Sequence, residues 1–217
     1  MTAVLGVDGC RAGWVGALVE DNEVAWLALP DIRAALDVDA AVVAVDMPLG
    51  LPPRGRRECD LLAKTTLGRA HSRVFLAPPR GVLAAADYSA AGPLHRELAD
   101  GKGMSVQTWH ILDRIREVDE VALDPRLVEV HPELSFAELA GRVLAPKRTS
   151  LGRRERVAAL RIWLPGLADV PRGAHALDAL DALAAAWSAR RWLTGEARTV
   201  PADPPQDGRG RPMRIVT

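Results

Sequence analysis

Lysine is almost absent from this chain: Lys64, Lys102 and Lys147 are the only three, and every other basic side chain of the Lys/Arg type is arginine. Arginine's planar fork suits phosphate and carboxylate partners, although taken one by one such residues are commonly just a solvated surface. Neither sign of charge prevails, with 28 Lys+Arg against 28 Asp+Glu. That balance excludes the uniformly basic footprint of a protein that coats nucleic acid, so any such binding must come from local patches. Cysteine is scarce as well. Cys10 and Cys59 form no CxxC pair and cannot build a disulfide framework, which fits a reducing cytoplasm. Long apolar runs are missing: none reaches transmembrane length, and the first residues read as a strand without a basic leader, so neither a membrane partner nor a signal peptide is expected.

What is present are short apolar runs that end on an acid. Ala41-Val42-Val43-Ala44-Val45 has no alternating polar face and reads as a strand covered on both sides, as in the middle of an α/β sheet. Asp46 ends it, and Pro48 and Gly50 turn the chain away. Ala3 to Val7 repeats the pattern with Asp8, and Leu127 to Val130 carries Glu129 next to the break at His131-Pro132. Open α/β sheets place ligands at the carboxyl ends of strands; the plainer alternative is that each acid caps a turn. Between the first two runs, Gly13–Glu20 and Val24–Leu29 flank the polar pair Asp21-Asn22 as a hairpin, followed by a short helix opened by Pro30 or Asp31.

From Leu51 to about Asp124 prolines, arginines and short helical stretches replace strands, which predicts a helical insertion. Arg56–Leu67 reads as a helix stopped by Gly68, and Ser105 as the cap of one helix running to Val118. Arg69 to Arg80 gathers three arginines and His71 around Phe75. It is either a phosphate grip with an aromatic platform or a loop with Phe75 tucked into the core. A second basic segment, 147–156, precedes a helix over 153–163. Arginines at a helix start gain nothing from the macrodipole and so invite an anion. Arg11, Arg73, Arg80, Lys147 and Arg154 are the candidate substrate-binding cations.

The last major helix is predicted over Ala174–Trp192, with Leu177, Leu180, Leu183, Ala184 and Trp187 on one stripe. Asp178 and Asp181 flank that stripe, one turn apart at about 4.5 Å along the axis. Such a pair of like charges is tolerated best near a cation. After Thr199 the chain is rich in Pro, Gly and Arg, and reads as a loosely ordered tail over 199–217 behind a single domain over 1–198.

If the strands are neighbours, Asp8, Asp46, Glu129, Asp178 and Asp181 converge at one edge of the sheet. A carboxylate cluster without Cys or His ligands is a hard-oxygen site, suited to Mg²⁺ or Mn²⁺. Paired ions of that kind activate water and steady a leaving oxygen, which points to phosphodiester hydrolysis.

Several motifs together carry a family resemblance over residues 4 to about 195: Gly6-Val7-Asp8-Gly9-Cys10-Arg11-Ala12-Gly13-Trp14, Asp46-Met47-Pro48-Leu49-Gly50-Leu51-Pro52, Arg73-Val74-Phe75 with Pro78-Pro79-Arg80, Glu129-Val130-His131-Pro132-Glu133, and His175-Ala176-Leu177-Asp178-Ala179-Leu180-Asp181. The set resembles a family of uncharacterised bacterial and archaeal proteins described as predicted RNase-H-like nucleases. The resemblance implies a ribonuclease-H-like α/β fold: a mixed five-stranded sheet flanked by helices, its first three strands antiparallel, with the insertion between the fourth and fifth. It implies Asp8 on the first strand, Asp46 on the fourth and Asp178/Asp181 on the final helix, a pairing similar to that of Holliday-junction resolvases. Asp8, Asp46 and Asp178 or Asp181 would hold Mg²⁺ or Mn²⁺, with Glu129 as accessory ligand or base, and nucleic acid, structured or modified, would be the partner. Two other readings stay open: a small-molecule phosphotransferase of the actin or sugar-kinase type, and a non-catalytic scaffold that keeps the fold.

Overall fold

The structure is a computed structural model that describes every residue except Met1, Asp169, Arg172 and Ala174. The chain starts with strands β1 (Val4–Cys10), β2 (Gly13–Glu20) and β3 (Glu23–Leu29), helix α1 (Ile32–Leu36) and strand β4 (Val42–Val45). Helices α2 (Glu58–Leu67), α3 (Tyr88–Leu98), α4 (Val106–His110) and α5 (Leu112–Val121) follow, with 3-10 turns at Gly68–Arg73 and Arg80–Ala84. Strand β5 (Leu127–Glu129) leads to helices α6 (Pro132–Ala140), α7 (Ser150–Trp163) and α8 (Ala176–Thr194), and the short strands β6 (Thr199–Val200) and β7 (Ile215–Val216) end the chain. No described helix is long and apolar enough to cross a membrane.

These elements form two compact units where the sequence suggests one domain. The first comprises Met1–Met47, Asp124–Arg198 and Val216–Thr217, and the second Pro48–Leu123 and Thr199–Ile215.

The first unit is built on a mixed sheet of order β3-β2-β1-β4-β5, antiparallel from β3 to β1 and parallel from β1 through β4 to β5. Its hairpin turns on Asp21 (φ 48°) and Asn22 (φ 65°), residue types that tolerate the left-handed conformation a two-residue turn demands. Asp31 starts α1, accepting the Ala34 N–H at 2.8 Å. Val4, Val15, Ala17, Val42, Ala44 and Val128 belong to the core that α6, α7 and α8 cover. Residues alternate across a strand, so this is one face of the sheet, and Gly6 lies on it. A Cβ at Gly6 would come within 2.0 Å of the Ala182 carbonyl oxygen and 2.2 Å of the Ala186 N of α8. Glycine there, facing Ala182, Ala185 and Ala186, all fully buried, lets helix backbone rest on strand backbone.

Helix α8 is buried on more faces than its leucine stripe suggests: every residue from Ala179 to Ala189 is buried. The cause is that α6 and α7 pack on it as well as the sheet, and Ser135 of α6 and Ser188 share a 2.8 Å hydrogen bond there. The predicted start at Ala174 lies outside the described residues; the first described helical residue is Ala176. Helix α7 begins at Ser150, ahead of the expected 153, because the Thr149 hydroxyl accepts the Gly152 N–H at 3.0 Å.

In the second unit the helix expected from Ser105 to Val118 is two helices. Ser105 caps the first as expected, but Ile111 leaves the helical region (φ −102°, ψ 2°) and starts another. Nor is Thr199–Ile215 a loose tail. Buried Asp207 accepts backbone N–H groups of Leu51 (3.1 Å), Arg209 (2.8 Å) and Arg211 (2.9 Å), which fixes a segment that composition alone marks as loose. In the first unit, Val216 bridges Val130 in parallel and Arg198 and Thr217 exchange backbone hydrogen bonds at 3.0 Å.

Candidate active site

Asp8 and Asp46 come side by side through strand register. Val7 pairs with Val45, and the Asp46 N–H donates to the Val7 carbonyl at 3.1 Å, which carries the parallel pairing one step past β4. Adjacent strands lie about 4.8 Å apart, so Asp8 and Asp46 leave the sheet as neighbours. Asp8 shares the face of Val4 and Gly6, the face that α8 covers, and Asp46 follows Val42 and Ala44 on it. The close seat of α8 at Gly6 then brings the first turns of that helix to the same edge: Asp181 is buried and Asp178, one turn earlier, half-buried beside His175.

The electrostatics are those of acids short of positive charge. Burial, then the charges of Asp46 and Asp181, push the Asp8 carboxyl well above the ordinary carboxylate range, with Asp178 adding to the rise and Lys147 opposing it. Asp46 is pushed up to about 7, mainly by burial; Lys147 opposes the rise and Glu133 adds to it. Asp181 is pushed up to about 6 by burial against the pull of Lys147. Among the described residues the Lys147 ammonium opposes the rise at all three. Lys147 Nζ donates to Asp181 Oδ2 at 2.5 Å. Burial alone would lower the Lys147 pKa, but Asp181, Asp8 and Asp46 raise it, so the side chain stays charged.

Glu133, in the first turn of α6, is a further member, which the sequence shows only as the last residue of the motif Glu129-Val130-His131-Pro132-Glu133. Its charge reaches Asp46 and Asp181, and it is itself paired at 2.5 Å with Arg156, a fully buried side chain. Arg156 also donates to the carbonyls of Ala145 (2.8 Å) and Gly152 (3.0 Å) and lies over the Phe136 ring. The signal for Glu133 was its place one residue after Pro132 at a helix start that follows the edge strand next to Asp46.

Glu129 is not brought into this group. It is buried at the end of β5, but Val128 and Val130 point to the α8 side, so Glu129 between them faces the other side of the sheet. Lys147, expected to hold substrate, is bound to Asp181 instead. Arg11 in the β1–β2 turn and Arg154 on α7 are exposed. Arg73 and Arg80 belong to the second unit, where Arg80 bonds both oxygens of Asp119 at 2.6 Å and also Asp207. Its fork is therefore committed to its own unit. Phe75, offered as a core residue or a platform, is 46 % exposed and so does not belong to the core.

A family model described as "Protein of unknown function (DUF429)" matches residues 6–206. The chain belongs to the DUF429 family. The match takes in every member of the acidic group in this DUF429 protein, from Asp8 to Asp181. No curated protein and no solved structure matches it.

The residues suit a divalent cation in kind. Among the described residues, Asp8, Asp46, Asp178 and Asp181 set four carboxyls against the Lys147 ammonium, Glu133 being paired with Arg156, and all the donors are oxygen. Hard oxygen donors in excess of positive charge favour Mg²⁺ or Mn²⁺ over softer metals. Among the described residues, Asp8, Asp46 and Asp181 do not form a set whose ligand oxygens all lie within 4.8 Å of one another. Joint ligation of one ion by the three therefore requires at least one of these side chains to move, and Asp181, held by Lys147, would have to share or release that partner.

Proposed function

We propose that this protein is a metal-dependent nuclease of ribonuclease-H-like fold, with Asp8, Asp46 and Asp181 holding Mg²⁺ or Mn²⁺ and Asp178 in support. The observation that carries the reading is the gathering of buried Asp8 and Asp181 and half-buried Asp46 at one sheet edge, each with its proton affinity raised by removal from water and by neighbouring acids. An acid near the carboxyl end of β1, another just past the end of the neighbouring parallel β4 and a third from a helix on the same face make a site with a fixed wall and a helical one. The sheet order, antiparallel through the first three strands and parallel thereafter, agrees with the proposed fold.

When bound, the metal supplies a Lewis acid for a phosphodiester oxygen and lowers the pKa of attacking water. The chain's own residues do the rest. Asp8 and Asp46 are held by the strand ladder, so their spacing is set before any ligand arrives. Glu133, fixed by Arg156, raises the proton affinity of Asp46 and by the same electrostatics strengthens its pull on a cation. Exposed Arg11, in the turn that follows β1, offers a guanidinium for a phosphate of nucleic acid.

Purified protein with Mn²⁺, assayed on single-stranded, duplex and branched DNA and RNA, should cleave at least one of them, and Asp46→Asn should abolish the cleavage. Equal cleavage by the wild type and D46N would refute the assignment.

A further inference from the structure

The second unit contains a cavity of about 330 Å³, within the range of small-ligand sites. Arg56, Lys64, Lys102 and His95 line it, and no Asp or Glu does. Among the described residues no ion pair joins Arg56 or Lys102 to an acid, although arginines elsewhere in the unit, such as Arg57 and Arg80, are paired. An unbalanced set of cations around a cavity favours an anion.

Phe75 stands at the same cavity, and its exposure is built. Val74 and Ala77 on either side of it are buried. Lys64 Nζ donates to the carbonyls of His71 (2.9 Å) and Val74 (2.7 Å), and the Ala77 N–H donates to Asp60 at 2.8 Å, with Asp60 held in turn by Arg57. The backbone is thus anchored immediately before and shortly after a ring left 46 % exposed. Across the cavity, His95 Nδ1 is 2.8 Å from the Lys102 carbonyl oxygen, which fixes the loop that presents the Lys102 ammonium. An aromatic face beside unpaired cations is the recognition chemistry of a base with its phosphate.

We propose that this cavity binds one nucleotide, its phosphate on Arg56 and Lys102 and its base against Phe75. The choice of a nucleotide rests on the nuclease reading above, whereas the cavity and its charge do not.

The test is calorimetric titration of the full chain, in EDTA, with 5′-AMP, adenosine and inorganic phosphate. AMP should bind more tightly than either of its parts. The double variant R56E/K102E should weaken AMP at least about tenfold, and F75A should weaken it about tenfold while leaving inorganic phosphate unchanged. Arg56, Lys102 and Phe75 are all exposed, so the fold should survive; where charge reversal lowers the melting temperature, R56Q/K102Q replaces it. Wild-type AMP affinity in either variant, or no AMP binding at millimolar concentration, would overturn the proposal. Because no metal is present, such a failure leaves Mn²⁺-dependent cleavage to stand or fall by its own assay.

Discussion

The Lys147 ammonium sits 2.5 Å from an Asp181 carboxylate oxygen and is also drawn to Asp8 and Asp46. It is the resident counter-ion of the acidic group, and its side chain, 40 % exposed, can swing outward. A divalent ion and Lys147 therefore compete for Asp181. Lys147→Met should bind Mn²⁺ several-fold more tightly than the wild type, read by titration or by the paramagnetic signal of free Mn²⁺. Weaker binding in K147M would show that the lysine supports the ion rather than standing in for it.

The raised acids also set a pH dependence of stability in metal-free protein. Asp46 keeps its proton in the native state up to about pH 7 and Asp181 up to about pH 6, while both lose it near pH 4 in the unfolded chain. Between those limits the native state binds more protons, so stability falls as pH rises from about 4 to 7. Part of the loss is recovered when metal replaces the protons. In EDTA the melting temperature should drop over that interval, and added Mn²⁺ should raise it far more at pH 8 than at pH 5. In Asp46→Asn the metal-free drop should shrink, leaving the variant roughly 1–2 kcal/mol more stable than wild type at pH 8. At about 2–4 °C per kcal/mol for a chain of this size, the gain is measurable in a thermal melt.

How far the sequence discloses this arrangement depends on which property each residue exposes. Asp8 and Asp46 are legible because an unbroken apolar run followed by an acid marks the strand; at Asp46 it also marks the strand's end, whereas β1 runs past Asp8 to Cys10 as it pairs with β2. Glu129 has the same signature, yet the run does not disclose the face; that follows from Val128 and Val130 packing toward α8. Glu133 was hidden by a local explanation, since an acid in a first helical turn needs no partner to be accounted for. Lys147 reads as a free cation because nothing in its neighbourhood along the chain announces Asp181, 34 residues away. In the second unit the composition of 199–215 is that of a loose segment, and only Asp207, gathering three backbone N–H groups and Arg80, makes it otherwise.

The Arg156–Glu133 pair is buried on both sides, and breaking it should be far more costly than deleting it whole. Arg156→Met takes from Glu133 the buried guanidinium paired with it, at a cost of about 3–5 kcal/mol by analogy with other buried pairs. The double change R156M/E133Q should recover much of that loss. Denaturant unfolding of the two single variants and the double variant reads the coupling directly, and additive losses would contradict the assignment.

Gly6 offers a test of how the helical acids reach the strand acids. Gly6→Ala puts a methyl where the Ala182 carbonyl oxygen stands 2.0 Å away and the Ala186 N 2.2 Å away, both backbone atoms that no rotamer change can remove. Helix α8 must shift off β1, and overpacking of this kind costs about 1–3 kcal/mol or more. Because Asp181 rides on that helix while Asp8 stays on the strand, the same shift separates the two carboxyls. G6A should therefore lower the unfolding midpoint and, in the fraction that remains folded, weaken Mn²⁺ binding. Ala17→Gly, a cavity change on the neighbouring strand of the same core face, should cost stability without that loss of metal affinity. If G6A lost stability yet bound Mn²⁺ as wild type does, the helix seat would be a matter of packing alone, and Asp181 would not need the contact at Gly6 to reach Asp8.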